Sequence, residues 1–197
     1  MGMMNAAGMR RAAVPVLALG LAGPAAAGDW QNAMAAYKRG DYATEFRLLK
    51  PLAEQGWSRA QYSLGIMYVH GQGMPKDYGQ AVRWYRLAAD QGDARAQNDL
   101  GVMYHNGEGV PEDDAQAVKW YRLAADKGYA RAQNNLGVMY GTGWGVPTDY
   151  VLAYMWSNLG AAGGSTDAEE NLDWYTAHMT RADISEAQRL SREWKPK

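Results

Sequence analysis

The chain has 197 residues and a formal net charge of −1, with 47% hydrophobic and 21% charged residues. That composition excludes a disordered chain, and the balanced charge argues against a dedicated nucleic-acid binder, which needs clustered Lys and Arg to displace counterions. Cysteine is absent, which excludes a disulfide framework, a thiolate zinc site and a cysteine nucleophile.

Residues 1–27 have the layout of a secretory signal peptide. Arg10 and Arg11 give a basic start, Ala12 to Leu21 is apolar, and Pro24 precedes the small-residue run Ala25, Ala26, Ala27. The apolar run is about half the ~20 residues that a membrane-spanning helix needs. Cleavage is expected after Ala27, with the mature protein in the periplasm or secreted. The arginine pair fits either general or twin-arginine export.

The skewed composition, with 13 Tyr, 8 Trp and 23 Gly against a single Phe, points to a copied unit. The stretches Ala60-Gln61-Tyr62-Ser63-Leu64-Gly65-Ile66-Met67-Tyr68, Ala96 to Tyr104 and Ala132 to Tyr140 match at a spacing of 36 residues. Gly71, Gly73, Pro75, Asp77, Ala81, Trp84 and Gly92 recur in the same register. Each unit reads as two helices. The first carries Ala60, Leu64, Met67 and Tyr68 at helical spacing and stops at a glycine-rich loop. Asp77, Asp113 and Asp149 are natural N-caps of the second, which carries Ala81, Trp84, Tyr85 and Ala88 on one stripe and ends at Gly92. Gly65, Gly101 and Gly137 lie in mid-helix, where glycine costs about 1 kcal/mol relative to alanine. Their recurrence predicts a close helix approach, with the second helix's alanines as the facing residues.

The unit A-Q-x-x-L-G-x-M-Y-x-x-G-x-G-V-P-x-D-x-x-x-A-V-x-W-Y-x-x-A-A-D-x-G resembles the Sel1-like repeat, a relative of the tetratricopeptide repeat, over about Trp30 to Gly164. The resemblance implies an all-α fold: a right-handed α/α solenoid of helix pairs that binds proteins or peptides. The expected division is a leader at 1–27, a tetratricopeptide-like pair at 28–59, repeats at 60–95, 96–131 and 132–167, and capping helices at 168–197. Trp30 to Arg39 and Asp41 to Gln55 read as the first pair. At the other end Ala168 and Leu172 continue the register, while Asp173 stands where glycine is expected. Thr180 then caps a last helix of about Arg181 to Trp194, with Ile184, Ala187 and Leu190 as its apolar stripe, expected to cover the last open face.

No catalytic or metal constellation emerges. His70, His105 and His178 form no His-x-x-x-His pair. The acidic cluster Glu108, Glu112, Asp113, Asp114 lacks the order of a calcium loop. The Gly-x-Gly loops lack the strand and G-K-[ST] ending of a phosphate loop. Some cysteine-rich relatives of this family have been assigned β-lactamase activity, but this chain has neither their cysteines nor an S-x-x-K or K-T-G signature. No enzyme activity, cofactor, metal or nucleic acid is expected.

In the related tetratricopeptide fold the first helix of each pair lines the binding groove. That orientation aligns Arg59, Arg95 and Arg131 in one row, Tyr62, Asn98 and Asn134 in a second, and Val69, His105 and Gly141 in a third. Arg and Asn rows suit an extended acidic peptide or a C-terminal carboxylate. The competing explanation pairs each Arg with an acid on the preceding helix: Glu54, Asp90 or Asp126. Trp144 and Met155, which depart from the repeat, read either as a second contact patch or as packing beneath the last helix. The expected function is an exported, non-enzymatic scaffold or adaptor of the bacterial envelope with a protein partner. The alternatives are a periplasmic regulator of a membrane sensor or exopolysaccharide system, as the resemblance implies for some relatives, and an enzyme acting on cell-wall or β-lactam substrates.

Overall fold

The structure, a computed structural model, describes residues 24–197. The expected leader lies outside the described residues up to position 23, and residues 24–27 form the start of the first helix. Ten helices follow in order: α1 (Pro24–Lys38), α2 (Tyr42–Glu54), α3 (Ser58–His70), α4 (Tyr78–Asp90), α5 (Ala94–Asn106), α6 (Asp114–Ala125), α7 (Ala130–Thr142), α8 (Tyr150–Ala162), α9 (Asp167–Thr176) and α10 (Arg181–Glu193). They stack as the expected α/α solenoid. First helices α1, α3, α5 and α7 each pair with the second helix that follows, and each second helix packs on the next unit.

Local signals place the ends. Asp41, Asp77, Asp113 and Asp149 cap the second helices, their carboxylates accepting from Thr44, Gln80, Gln116 and Leu152 N–H at 2.9–3.1 Å. Gly56, Gly92, Gly128 and Gly164 follow with positive φ, which ends each helix in a left-handed turn. The repeats begin at Ser58, Ala94 and Ala130, so divisions at 60, 96 and 132 cut into the first turn of each unit.

The core consists of three clusters of buried residues, mainly Ala, Leu and Met with Val, Tyr and Trp. Leu64, Leu100 and Leu136 are fully buried on the first helices, with Ala81, Ala117 and Ala153 on the second. The mid-helix glycines do mark close approaches, but in the first two repeats the facing group is a tyrosine and not the expected alanine. A Cβ on Gly65 or Gly101 would strike the ring of Tyr85 or Tyr121. In the third unit that tyrosine is replaced by Ser157, and α8 comes so close that a Cβ on Gly137 would strike Ser157 Oγ and the Ala153 carbonyl.

Each unit grips both ends of the second helix before it. At the C-terminal end, Gln61 Nε2 donates to Ala53 O at 3.0 Å, Gln97 Nε2 to Ala89 O at 3.0 Å and Gln133 Nε2 to Ala125 O at 3.3 Å. Carbonyls in the last turn have no partner within their own helix. At the N-terminal end the loop glycine comes against backbone. A Cβ on Gly73 would lie 2.5 Å from Tyr42 O, and Cβ atoms on Gly109 and Gly145 would strike Tyr78 O and Asp114 O. These three glycines also have φ of 67–79°, so both space and dihedral require glycine.

The C-terminus departs from the repeat. Here α9 packs on α8 and α7, while α10 turns back onto α8. It covers the face of α8 that is open to solvent in α4 and α6. Met155 and Leu159 there are packed beneath it with Trp156, whereas their register equivalents Arg83, Leu87, Lys119 and Leu123 are exposed. Thr180 forms a full capping box with Asp183. Ser191 Oγ donates to Ala187 O, and Trp194 meets Trp156 edge-on with ring centroids 6.1 Å apart. Lys197 reaches Asp126, its N–H on the carbonyl and its Nζ on the carboxylate, both at 2.8 Å. The last open face is instead made polar by α9 itself, where Asp167, Glu169, Glu170 and Asp173 are exposed.

Two outcomes follow. Gly109→Ala should cost well over 1 kcal/mol in urea unfolding, because strain and a backbone clash add. Gly40→Ala, with positive φ but open space around it, should cost about 1 kcal/mol. Removing residues 180–197 should lower the Tm by about 5–10 °C, because Met155, Trp156 and Leu159 lose their cover.

Candidate functional site

The first-helix face carries the residues singled out from the sequence, and the structure divides them. Asn98 and Asn134 are only 4% and 6% exposed, and their amides are committed to neighbours. Asn135 Nδ2 donates to Asn98 Oδ1 at 2.9 Å, and Asn171 Nδ2 donates to Asn134 Oδ1 at 3.0 Å. The Tyr62 hydroxyl makes the equivalent bond to Asp99 Oδ2 at 3.1 Å. These bonds join residues 37 apart and run as a ladder across the first helices. The expected peptide-binding Asn row is therefore largely a seam between units: both ends of the Asn98 amide and the Oδ1 of Asn134 are engaged within the stack.

The Arg–acid pairing also differs from the expectation. Arg95 pairs with Asp93, the N-cap of its own helix, through Nη2–Oδ2 at 2.6 Å and Nε–Oδ1 at 3.1 Å. Among the described residues no ion pair joins Arg59, Arg95 or Arg131 to Glu54, Asp90 or Asp126; the partner of Asp126 is Lys197. Asp93 also accepts from Arg95 N–H and Ala96 N–H. Burial pushes its carboxyl up, but the bonds and charge of Arg95 and the helix amides outweigh that and hold it below the usual range.

These contacts build one polar centre. The Arg95 guanidinium lies over the Tyr62 ring at 4.5 Å from its centroid, a cation–π geometry. Tyr62 packs on Tyr85 at 5.7 Å between centroids. Asp99 lies beneath, and burial raises its carboxyl above the ordinary value, partly offset by bonds from Asn98 and Tyr62 and by the nearby charge of Arg131. Burial also raises the hydroxyl of Tyr129, with Asp99 adding to the shift and Arg131 and Arg95 opposing it. Two arginines thus converge with two tyrosines over two acids. The centre is balanced in charge, so it offers flat Arg and Tyr surfaces and hydrogen bonds more than a net positive field. Arg59 is exposed one unit earlier on the same face.

His105 stands apart, at the end of α5. Its Nδ1 is 2.6 Å from Asp114 Oδ1, and its ring stacks on Trp144 at 5.0 Å between centroids. Trp144 is 46% exposed, so it does not pack beneath the last helix, whereas Met155 does. Gly141, expected in the exposed row with His105, is buried because the Tyr175 ring occupies the place of its side chain.

Several participants were missed in the sequence. The glutamine of each Ala-Gln pair recurred visibly, but nothing local revealed that it reaches back to a helix end. Asp93, Asp99, Asn135 and Tyr129 vary between units; the partners of Asp99 and Asn135 lie one residue off the 36-residue register, and Asp93 pairs within its own helix. Among the described residues no group of three or more acids and histidines is placed to hold a metal, and no helix is long and apolar enough to cross a membrane.

Comparison with known proteins places these helix pairs in one repeat family. The Sel1 repeat family model matches residues 58–93, 94–129 and 130–165, more than half of the chain, and the protein belongs to this family. A Sel1 repeat protein from Oxalobacter formigenes superimposes with a TM-score of 0.69 at 32% identity, covering 74% of this chain and 60% of that one. The c5321 protective antigen of uropathogenic Escherichia coli, which has an SLR fold, superimposes with a TM-score of 0.75 at 38% identity, covering 85% of this chain and 38% of that one. DAP3-binding cell death enhancer 1 matches over 45 residues at 42% identity in Rattus norvegicus and 40% in Mus musculus. That match spans 23% of this chain and 9% of each relative. Below two thirds of every one of these relatives is covered. Sel1 repeats generally mediate protein–protein interaction, and proteins built from them are typically non-catalytic scaffolds.

Asn98→Ala should destabilise the chain by about 1–3 kcal/mol in urea unfolding, because it strips the half-buried Asp99 of a donor and Asn135 of its acceptor. Arg59→Ala, at an exposed position, should fall within about 0.5 kcal/mol of wild type.

Proposed function

We propose that this protein is an exported, non-enzymatic interaction scaffold of the bacterial envelope, which docks a protein segment on the first-helix face around Arg95, Tyr62, Tyr129 and Arg131. The observation that carries the reading is the Arg95–Tyr62–Asp93 assembly. It fixes a guanidinium and a tyrosine in one geometry on a family scaffold built for protein contacts, and Arg and Tyr are enriched where interfaces concentrate their energy. Export is supported by the basic, apolar, small-residue pattern of residues 1–27, and an oxidising compartment is compatible with the absence of cysteine. The partner is an extended segment bearing both carboxylate and backbone hydrogen-bonding groups, since the two arginines are partly neutralised by Asp93 and Asp99.

The test is in-cell crosslinking of the tagged protein followed by mass spectrometry, with Arg95→Ala/Arg131→Ala as the comparison. Asn98 is left intact because its loss would disturb the seam. The expected result is one envelope protein recovered in near-equal amount, reduced at least tenfold in the variant at unchanged Tm, and a mature N-terminus at Gly28. Equal recovery with the variant would refute the assigned face, and retention of Met1 would refute export by cleavage.

A further inference from the structure

The first helix pair departs from the repeat at a buried position. Ala81, Ala117 and Ala153 are fully buried at equivalent places in α4, α6 and α8, and in α2 that place holds Glu45. Its side chain is 3% exposed, and its Oε2 is buried without a hydrogen-bond partner. Three other units pack with alanine there, so the stack does not need an acid, and an unpaired buried carboxylate is costly.

Glu45 lines a cavity of about 140 Å³ between α1, α2 and α3, together with Met34, Tyr37, Ser63, Ile66, Met67 and Gln72. That is close to the ~150 Å³ apolar cavity that admits a benzene-sized guest. The lining is apolar apart from the carboxylate and a few hydroxyl and amide groups, and the half-exposed Tyr37 stands at its edge. A short alkyl chain fits such a space, and a cation at its end is what the orphaned carboxylate lacks.

We propose that this cavity binds an alkylammonium group, its carbon stem against Met34, Ile66 and Met67 and its N–H groups donating to the Glu45 carboxylate. A lysine side chain has this form, an apolar stem with a charged tip, and so has a free alkylamine. The inference rests on the scaffold reading only where the lysine belongs to the protein partner. Tyr37 is the other ionisable side chain lining the cavity. Burial pushes the Glu45 carboxyl up to about 7, so the empty site is mostly ionised at pH 8 and protonated at pH 5.5. Binding should weaken as pH falls through that range, because the neutral acid loses its attraction for a cation.

The experiment is an NMR titration of the ¹⁵N-labelled exported protein at pH 8 with n-butylammonium chloride, with n-butanol as the uncharged control and an acetylated Gly-Lys-Gly amide as the peptide probe. Saturable shifts at Met34, Tyr37, Ser63 and Ile66 are expected, at least tenfold weaker for Glu45→Gln, for n-butanol and at pH 5.5. Binding of the lysine peptide at the same amides assigns the site to a protein lysine, and binding of butylammonium alone assigns it to a small amine. Absent saturation, equal binding of butanol, or equal binding by Glu45→Gln would overturn the inference. Should Glu45→Gln fail to fold, the butanol and pH comparisons decide alone. A partner captured in cells alongside a flat titration would sink the cavity and leave the scaffold standing; saturable butylammonium binding with no captured partner would do the reverse.

Discussion

Everything in this solenoid depends on how one unit holds the backbone of the last. The loop glycine of each repeat rests on the first-turn carbonyl of the preceding second helix, and the repeat's glutamine bonds a last-turn carbonyl of the same helix. Each of α2, α4 and α6 is thus clasped at both ends, by Gly73 and Gln61, Gly109 and Gln97, and Gly145 and Gln133. Both targets are main-chain atoms. The clasp therefore works whatever side chain the neighbour carries there, which is Tyr42 or Tyr78 in two units and Asp114 in the third. A unit with this property can be copied without matched changes in its neighbour. The clasped helices are 12 or 13 residues long, so one loop-to-glutamine spacing suits all three.

The clasp leaves the first-helix face free to vary, and the chain uses that freedom unevenly. Part of the face is spent on a seam of amides and acids that adds register between units, as at Asn98–Asn135 and Asn134–Asn171. The remainder is open, and there Arg95 is held over Tyr62 by its own N-cap acid. A guanidinium fixed in this way loses little entropy on meeting a partner. At the far end no further unit arrives to clasp α8. Tyr150, at its first turn, is covered by Trp174, Tyr175 and His178 with centroids 5.5–6.5 Å away, and α10 supplies the packing along its outer face.

The repeat, the helix pairs and the caps were legible because each rests on local chemistry. An aspartate before a helix and a glycine after it act within one turn, and the copies confirm one another. The alternation of Leu64, Leu100 and Leu136 reported the core for the same reason. The Asn row was misread because burial on a solenoid face depends on the neighbouring unit, and its bonds link position n to n+1 of the next copy. The facing partner of Gly65 was misassigned to alanine because the space a glycine leaves can admit a ring as readily as another backbone. Trp144 and Met155 looked alike as departures from the repeat, yet only the path of α10 separates them, and that path is set by contacts across the chain. Glu45 stands in register with Ala81, but only the fold shows that its carboxylate is buried without a partner.

The central claim is that neighbouring units are locked together at both helix ends and so open as one body. Native-state hydrogen exchange across a series of urea concentrations measures this directly. The account predicts that slow amides of α3 through α8 merge onto a single isotherm with a common free energy of opening, with α1 and α9 opening earlier. Separate isotherms for α3–α4, α5–α6 and α7–α8 would show that each pair stands on its own packing, and would contradict it.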